Sequence, residues 1–180
     1  MKFILFCLTI SILILISTFT YAQKLKPNST VKANQTTFRI EEVKQFGTSS
    51  NGITVVNVNN IYRNHAPKVY MAPGDLYGKI EKGGMLRAFK LTFNDNRLRQ
   101  LLPDHGINLK LYISPDGKVE ETDFLLENTT LLNAKELAQL QNAIKTNVFF
   151  KLSPGETKGG DFFTVSLFVK YQNVLDGIER

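Results

Sequence analysis

The stretch INLKLYISPDGKVEETDFLL, residues 107–126, decides the fold. Ile107, Leu109, Leu111 and Ile113 alternate with Asn108, Lys110 and Tyr112, so an extended chain here has one apolar side and one polar side, the period of a half-buried strand. The segment Ser114-Pro-Asp-Gly117 follows. Pro115 suits the position after a turn's first residue, and Gly117 takes positive φ at no steric cost. Residues 119–126 return as a second strand, so the stretch predicts an antiparallel hairpin.

Reading outward, Asn133 is an N-cap with Glu136 as its capping-box partner, and Leu137, Leu140, Ile144 and Val148 recur at spacings of three and four. That spacing predicts a helix over 134–146. Phe149, Phe150 and Leu152 lead to Pro154-Gly155 and a polar turn through Gly160, after which Phe163, Val165, Leu167, Val169 and Tyr171 mark a final strand. The C-terminal half therefore reads β-β-α-β. The predicted fold class is α+β, an antiparallel sheet with one face covered by a helix, preceded by a β-rich N-terminal region.

Upstream, residues 37–46 and 53–62 are rich in β-branched and aromatic side chains and flank the turn formers of 47–52, which predicts a hairpin with a longer loop. Pro67, Pro73, Gly74, Gly78, Gly83 and Gly84 break the chain across 64–84, so that segment is expected to be irregular, its aromatics packed beneath a long loop. Residues 86–93 alternate through Phe89, Leu91 and Phe93 and predict a strand, so Gly83-Gly84 is not expected to open a phosphate-cradling helix. Asn94, Leu98, Leu101, Leu102 and Pro103 predict a short capped helix.

Lys2, the apolar run 3–16, and small residues at Thr20 and Ala22 before Gln23 form the three-part pattern of a cleavable secretory leader. A retained anchor is the alternative, because 3–22 just reaches the roughly 20 residues that span a bilayer. Cys7 lies inside the run and no cysteine stands at the cleavage point, so a lipid anchor is disfavoured, and the mature chain has no disulfide and no Cys-based site. Polar residues 23–37 are expected to be a flexible lead-in. The expected layout is a leader at 1–22, the lead-in at 23–37, a β-rich region at 38–103 and the β-β-α-β unit at 104–180. The protein is expected outside the cytoplasm, in the periplasm, at the outer surface or fully secreted.

The formal charge is +6, and loss of Lys2 with the leader lowers it by one. Basic and acidic residues interleave, as in Arg39, Glu41, Glu42 and Lys44, which argues against a nucleic-acid surface. Asn28, Asn34 and Asn128 match the glycosylation acceptor pattern, which has meaning only in a eukaryotic secretory pathway.

The order of elements, the Asp116-Gly117-Lys118 turn, and Asn147-Val-Phe-Phe-Lys-Leu-Ser-Pro154 at the place of a short aromatic-Lys-Pro segment resemble the C-terminal domain of TonB-like proteins. The resemblance covers about residues 104–171. It implies the β-β-α-β fold and a capacity to take a partner's extended peptide at a sheet edge, which would make the final strand the binding element through Phe162, Thr164, Ser166, Phe168 and Lys170. The long Pro-rich spacer of an energy transducer is missing, with six prolines scattered along the chain.

Catalytic and metal residues are expected to be absent, and no cofactor is expected. His65 and His105 stand apart from other ligands and read as surface loop residues. Glu120, Glu121 and Asp123 read as a solvated strand face rather than an acid/base pair. The reading is thus an exported, non-enzymatic domain acting on a protein partner, with no nucleic acid and with a membrane only if the leader is uncleaved. Two other classes remain open: a secreted carbohydrate- or peptide-binding enzyme using Tyr70, Tyr77 and Asp75 in the loop 62–77, and a membrane-anchored structural protein.

Overall fold

The computed structural model describes residues 24–46 and 50–178. The expected leader, and residues 47–49 of the turn expected at 47–52, lie outside the described residues. In chain order the elements are β1 (Ser29–Ala33), β2 (Thr36–Phe46), β3 (Ser50–Asn57), α1 (Pro73–Tyr77), α2 (Gly84–Thr92), α3 (Asp95–Leu101), a 3₁₀ turn (Leu102–Asp104), β4 (Gly106–Ile113), β5 (Val119–Glu127), α4 (Ala134–Asn147), β6 (Phe163–Lys170) and α5 (Tyr171–Leu175).

All six strands form one antiparallel sheet in the order β1-β2-β3-β5-β4-β6. The fold is α+β, and the two halves of the chain share that sheet because β3 pairs with β5, Val55 opposite Phe124 and Ile53 opposite Leu126. The alternation read in 107–113 puts Ile107, Leu109, Leu111 and Ile113 into the core, each at most 1 % exposed. In register with them stand Phe163, Val165, Leu167 and Val169 on β6, and Thr122 and Phe124 on β5. Against this face the helices bring Met85, Phe89, Leu98, Leu137, Leu140 and Ile144. Burying each such side chain contributes about 1.5–3 kcal/mol.

The β4–β5 turn forms as the sequence predicts. Gly117 sits at φ 84°, and its amide donates to the Ser114 carbonyl at 2.8 Å. A Cβ there would lie 1.9 Å from the Phe150 carbonyl oxygen, so close approach as well as φ demands glycine. Helix α4 carries the full capping box: the Asn133 side chain accepts from the Glu136 amide at 3.1 Å while Glu136 accepts from the Asn133 amide at 3.0 Å. Glu136 also receives Arg97 from α3 through two bonds of 2.6 and 3.0 Å, so the cap ties two helices together.

Two expectations are corrected. Within the lead-in expected at 23–37, the described residues 24–37 are not free: β1 pairs with β2 along its whole length and Leu25 is 2 % exposed. A strand can be polar on one side and still be held by its neighbour's backbone, so low hydrophobicity misled the reading. Residues 86–92 lie in helix α2, with Phe93 as its C-cap, and do not form a strand. Positions 85, 89 and 93 are four apart, and Met85, Phe89 and Phe93 with Ala88 make the buried stripe, whereas Leu91, central to the strand reading, is 71 % exposed. A helix therefore does follow Gly83-Gly84. Gly83 caps it at φ 82°, and Gly84 lets it lie against the end of α4, where a Cβ would stand 2.5 Å from the Asn147 carbonyl oxygen. These glycines have a packing role.

Gly84→Ala is expected to destabilise the domain by about 1–3 kcal/mol, because backbone must move to admit the methyl. Gly74→Ala, whose Cβ would meet nothing within 4 Å, should leave stability nearly unchanged. Urea denaturation of both variants checks the contrast.

Candidate functional site

The helices cover one face of the sheet, and two surfaces remain: the outer edge of β6 and the helix-free face. Strand β6 is terminal in the sheet and bonds only β4 among the strands. The Ser166 carbonyl accepts from the Tyr77 hydroxyl and so faces away from β4. By the alternation of an antiparallel ladder, Thr164, Phe168 and Lys170 also turn their backbone groups to that outer edge. Tyr77, at the end of α1, therefore latches the middle of the edge, and the strand beyond it toward Lys170 is bordered by a groove of about 330 Å³. The groove is walled by Ile80, Met85, Leu86, Phe168, Val174 and Ile178, with Glu81, Lys82 and Lys170 as its charged groups. Phe168 is 44 % exposed and Ile178 51 % exposed, an apolar surface open to solvent.

The residues named from sequence fall on different sides of this strand. Thr164, Ser166, Phe168 and Lys170 project on the helix-free side of β6, and Tyr77 meets the strand at Ser166. Phe162 is buried, its ring tilted against Tyr62 at 5.1 Å between centroids. Tyr70 is 75 % exposed and does not line the groove. Asp75 and both histidines are also exposed.

The helix-free face carries what the sequence reading missed. Residues that follow β3 fold back over it: Tyr62 stacks on Tyr112 with centroids 6.1 Å apart, and the Lys68 amide donates to Asp161 at 3.0 Å. Beneath the loop Asp123 is only 5 % exposed. It accepts from the Tyr112 hydroxyl at 2.8 Å and from the Asn60 amide side chain at 3.1 Å, with the Arg63 Nε at 3.7 Å. Arg63 reaches Glu41 on β2 through Nη2 at 2.6 Å, while its Nη1 is buried with no partner among the described residues. Lys110 lies over the Tyr112 ring, 5.1 Å from the centroid.

The solvated-face reading of the acidic trio is thus corrected for Asp123, which is buried in this network. Glu121 is also engaged, by Gln141 at 2.7 Å and Lys145 at 3.2 Å on α4. The alternation of β5 signalled only which side Asp123 occupies. The loop that covers it comes from more than 60 residues away in sequence, with no local pattern to announce it.

Burial raises the Asp123 carboxyl above its ordinary pKa, opposed by the bonds from Tyr112 and Asn60 and by Arg63. Burial and the adjacent Asp123 push the Tyr112 hydroxyl upward, so it remains a donor. Beside this network a cleft of about 270 Å³ opens, lined by Thr54, Arg63, Asn108, Lys110, Asp123 and Ser166 together with Leu125. Its floor follows from register: Thr54 stands opposite Leu125, which stands opposite Asn108, while Lys110 lies between Asp123 and Ser166. Among the described residues no group of three or more His, Cys, Asp or Glu side chains is placed to hold a metal ion. No helix among them is long and apolar enough to cross a membrane.

No protein-family model and no curated protein matches the chain. Among solved structures, a DUF5043 family protein from Bacteroides uniformis is similar, with a TM-score of 0.63 and 15 % identity over 83 % of this chain and 89 % of that one. At that identity the likeness concerns the fold alone.

Tyr112→Phe removes the donor to a buried carboxylate and is expected to cost about 1–3 kcal/mol in urea denaturation. Proteolytic nicking within residues 61–72 should increase in the same variant, because the network holds that loop.

Proposed function

We propose that this chain is an exported, non-enzymatic binding module that takes an extended peptide from a protein partner along the outer edge of β6. The observation that carries the reading is the coincidence of an edge strand, with backbone groups turned outward, and an apolar groove directly beside it. An added strand would bond the outward amides and carbonyls near Phe168 and Lys170, each bond contributing about 0.5–1.5 kcal/mol net. Every second side chain of that strand would enter the groove. Exposed apolar surface at a sheet edge invites non-specific pairing unless it is used or guarded. Tyr77 guards the centre of the edge, which confines docking to the end nearer Lys170.

The β4-β5-α4-β6 order supports the resemblance to the TonB C-terminal domain, where edge pairing is the expected mode. Export rests on the leader pattern of residues 1–22, and Gln23 is the expected first residue of the mature protein. Intact-mass and N-terminal peptide mass spectrometry of secreted material reads that start directly, whether as Gln23 or as its pyroglutamyl form. Retention of Met1 in the membrane fraction would replace this part of the reading with the anchored one.

The docking test exploits a difference between the two sides of one strand. Proline at position 168 removes an outward amide and leaves the inward ladder to β4 intact, a substitution edge strands tolerate. Phe168→Pro in the mature chain should lose partner capture from an extract of exported proteins while its circular dichroism stays that of the parent. Phe168→Ala, which keeps the amide, should retain part of it. Equal capture by Phe168→Pro and the parent would overturn the edge-pairing reading.

A further inference from the structure

The cleft on the helix-free face is separate from the groove, and its chemistry differs. We infer that it is a binding site for a small carboxylate-bearing molecule, held by Arg63 and Lys110. Arg63 is placed by two anions on opposite sides, Glu41 at 2.6 Å from Nη2 and Asp123 at 3.7 Å from Nε. Its remaining nitrogen, Nη1, is buried and bonds nothing among the described residues. A guanidinium held this way by a buried network, with one donor unmet, is costly to the fold unless something else accepts from it. Lys110 makes no ion pair among the described residues, and its ammonium sits over the Tyr112 ring on the same cleft.

The charge balance selects the ligand. Two cations line the cleft, and Asp123 is the one anion among its lining residues. Both Asp123 oxygens are already taken, by Tyr112 and by Asn60. Arg63 is already balanced by Asp123 and, just outside the lining, by Glu41, so Lys110 is the one lining cation left without an ion pair among the described residues, and that single charge suits a monoanionic carboxylate better than a dianionic phosphate. A carboxylate accepts a charge-assisted bond from each of two donors, which is what Arg63 Nη1 and the Lys110 ammonium supply. The hydroxyls of Thr54 and Ser166 and the amide of Asn108 are left for the polar part of the molecule, and Leu125 for a short apolar part. The volume, about 270 Å³, lies below the roughly 300 Å³ at which pockets for drug-sized ligands begin, so the ligand is small.

The test is an NMR titration of the mature chain, residues 23–180, with sodium lactate, sodium acetate and inorganic phosphate at matched ionic strength. The expected result is a saturable shift of the Arg63 Nε–H and the Lys110 amide with both carboxylates, tighter for lactate, whose hydroxyl can use Thr54, Asn108 or Ser166. Lys110→Met alters an exposed side chain and so should keep the fold; it should weaken lactate binding about tenfold. Phe168→Pro, which disables the β6 edge, should leave lactate binding unchanged, so failure here and failure of edge pairing are told apart. Phosphate binding as tightly as lactate would overturn the carboxylate assignment. Shifts that rise linearly with all three salts, or are indifferent to Lys110→Met, would overturn the site itself.

Discussion

Everything distinctive about this structure depends on the pairing of β3 with β5. Without it the chain would be a hairpin beside a β-β-α-β unit, each with an open edge and too little apolar surface to bury. Joined through Val55 opposite Phe124, they form one six-stranded sheet whose helix-side face carries a continuous row from Ile40 through Val55, Phe124 and Leu109 to Leu167. The hydrophobic effect then acts on a single core, which a chain whose one cysteine is Cys7 needs in place of disulfide staples.

That one-sided burial shapes both the β6 edge and the helix-free face. With the helices gathered on one face, the other is covered only by the loop that follows β3, and a loop needs polar anchors where a helix would use apolar packing. Asn60, Arg63 and Tyr62 are those anchors, meeting Asp123, Glu41 and Tyr112. A buried carboxylate with three partners is dear in desolvation, and it is retained because each remaining polar group has a partner, with the exception of one guanidinium nitrogen. Arg63, which carries that nitrogen, lines the cleft that the loop leaves open beside it.

At the other surface, the same topology leaves β6 terminal and then complicates it. The segment 64–84 carries α1 to the edge, where Tyr77 takes the Ser166 carbonyl, and brings Ile80, Met85 and Leu86 up beside Phe168. A bare edge would be an aggregation template; this one is latched in the middle and apolar at one end. The irregular segment is therefore not mere connection: coming straight after the loop anchors Asn60, Tyr62 and Arg63, it supplies the latch Tyr77 and Ile80 of the groove wall, and it leads into α2, which adds Met85 and Leu86.

Periodicity and local chemistry in the amino-acid sequence determined the elements whose signals are internal to them. The β4–β5 hairpin, the capped helices α3 and α4, strand β6, the first long hairpin and the α+β class were legible because alternation, capping pairs and turn residues act over a few neighbours. Helix α2 was misread, since Phe89, Leu91 and Phe93 fit a period of two and Met85, Phe89 and Phe93 fit a helix equally well; only the surface of α4 to be covered, with Gly84 against Asn147, decides between them. Strand β1 escaped because its order comes from the backbone of β2. The Asp123 network and the wall of the β6 groove were decided by tertiary structure alone. Their members are scattered from residue 41 to residue 178, and what unites them is the burial created when β3 meets β5.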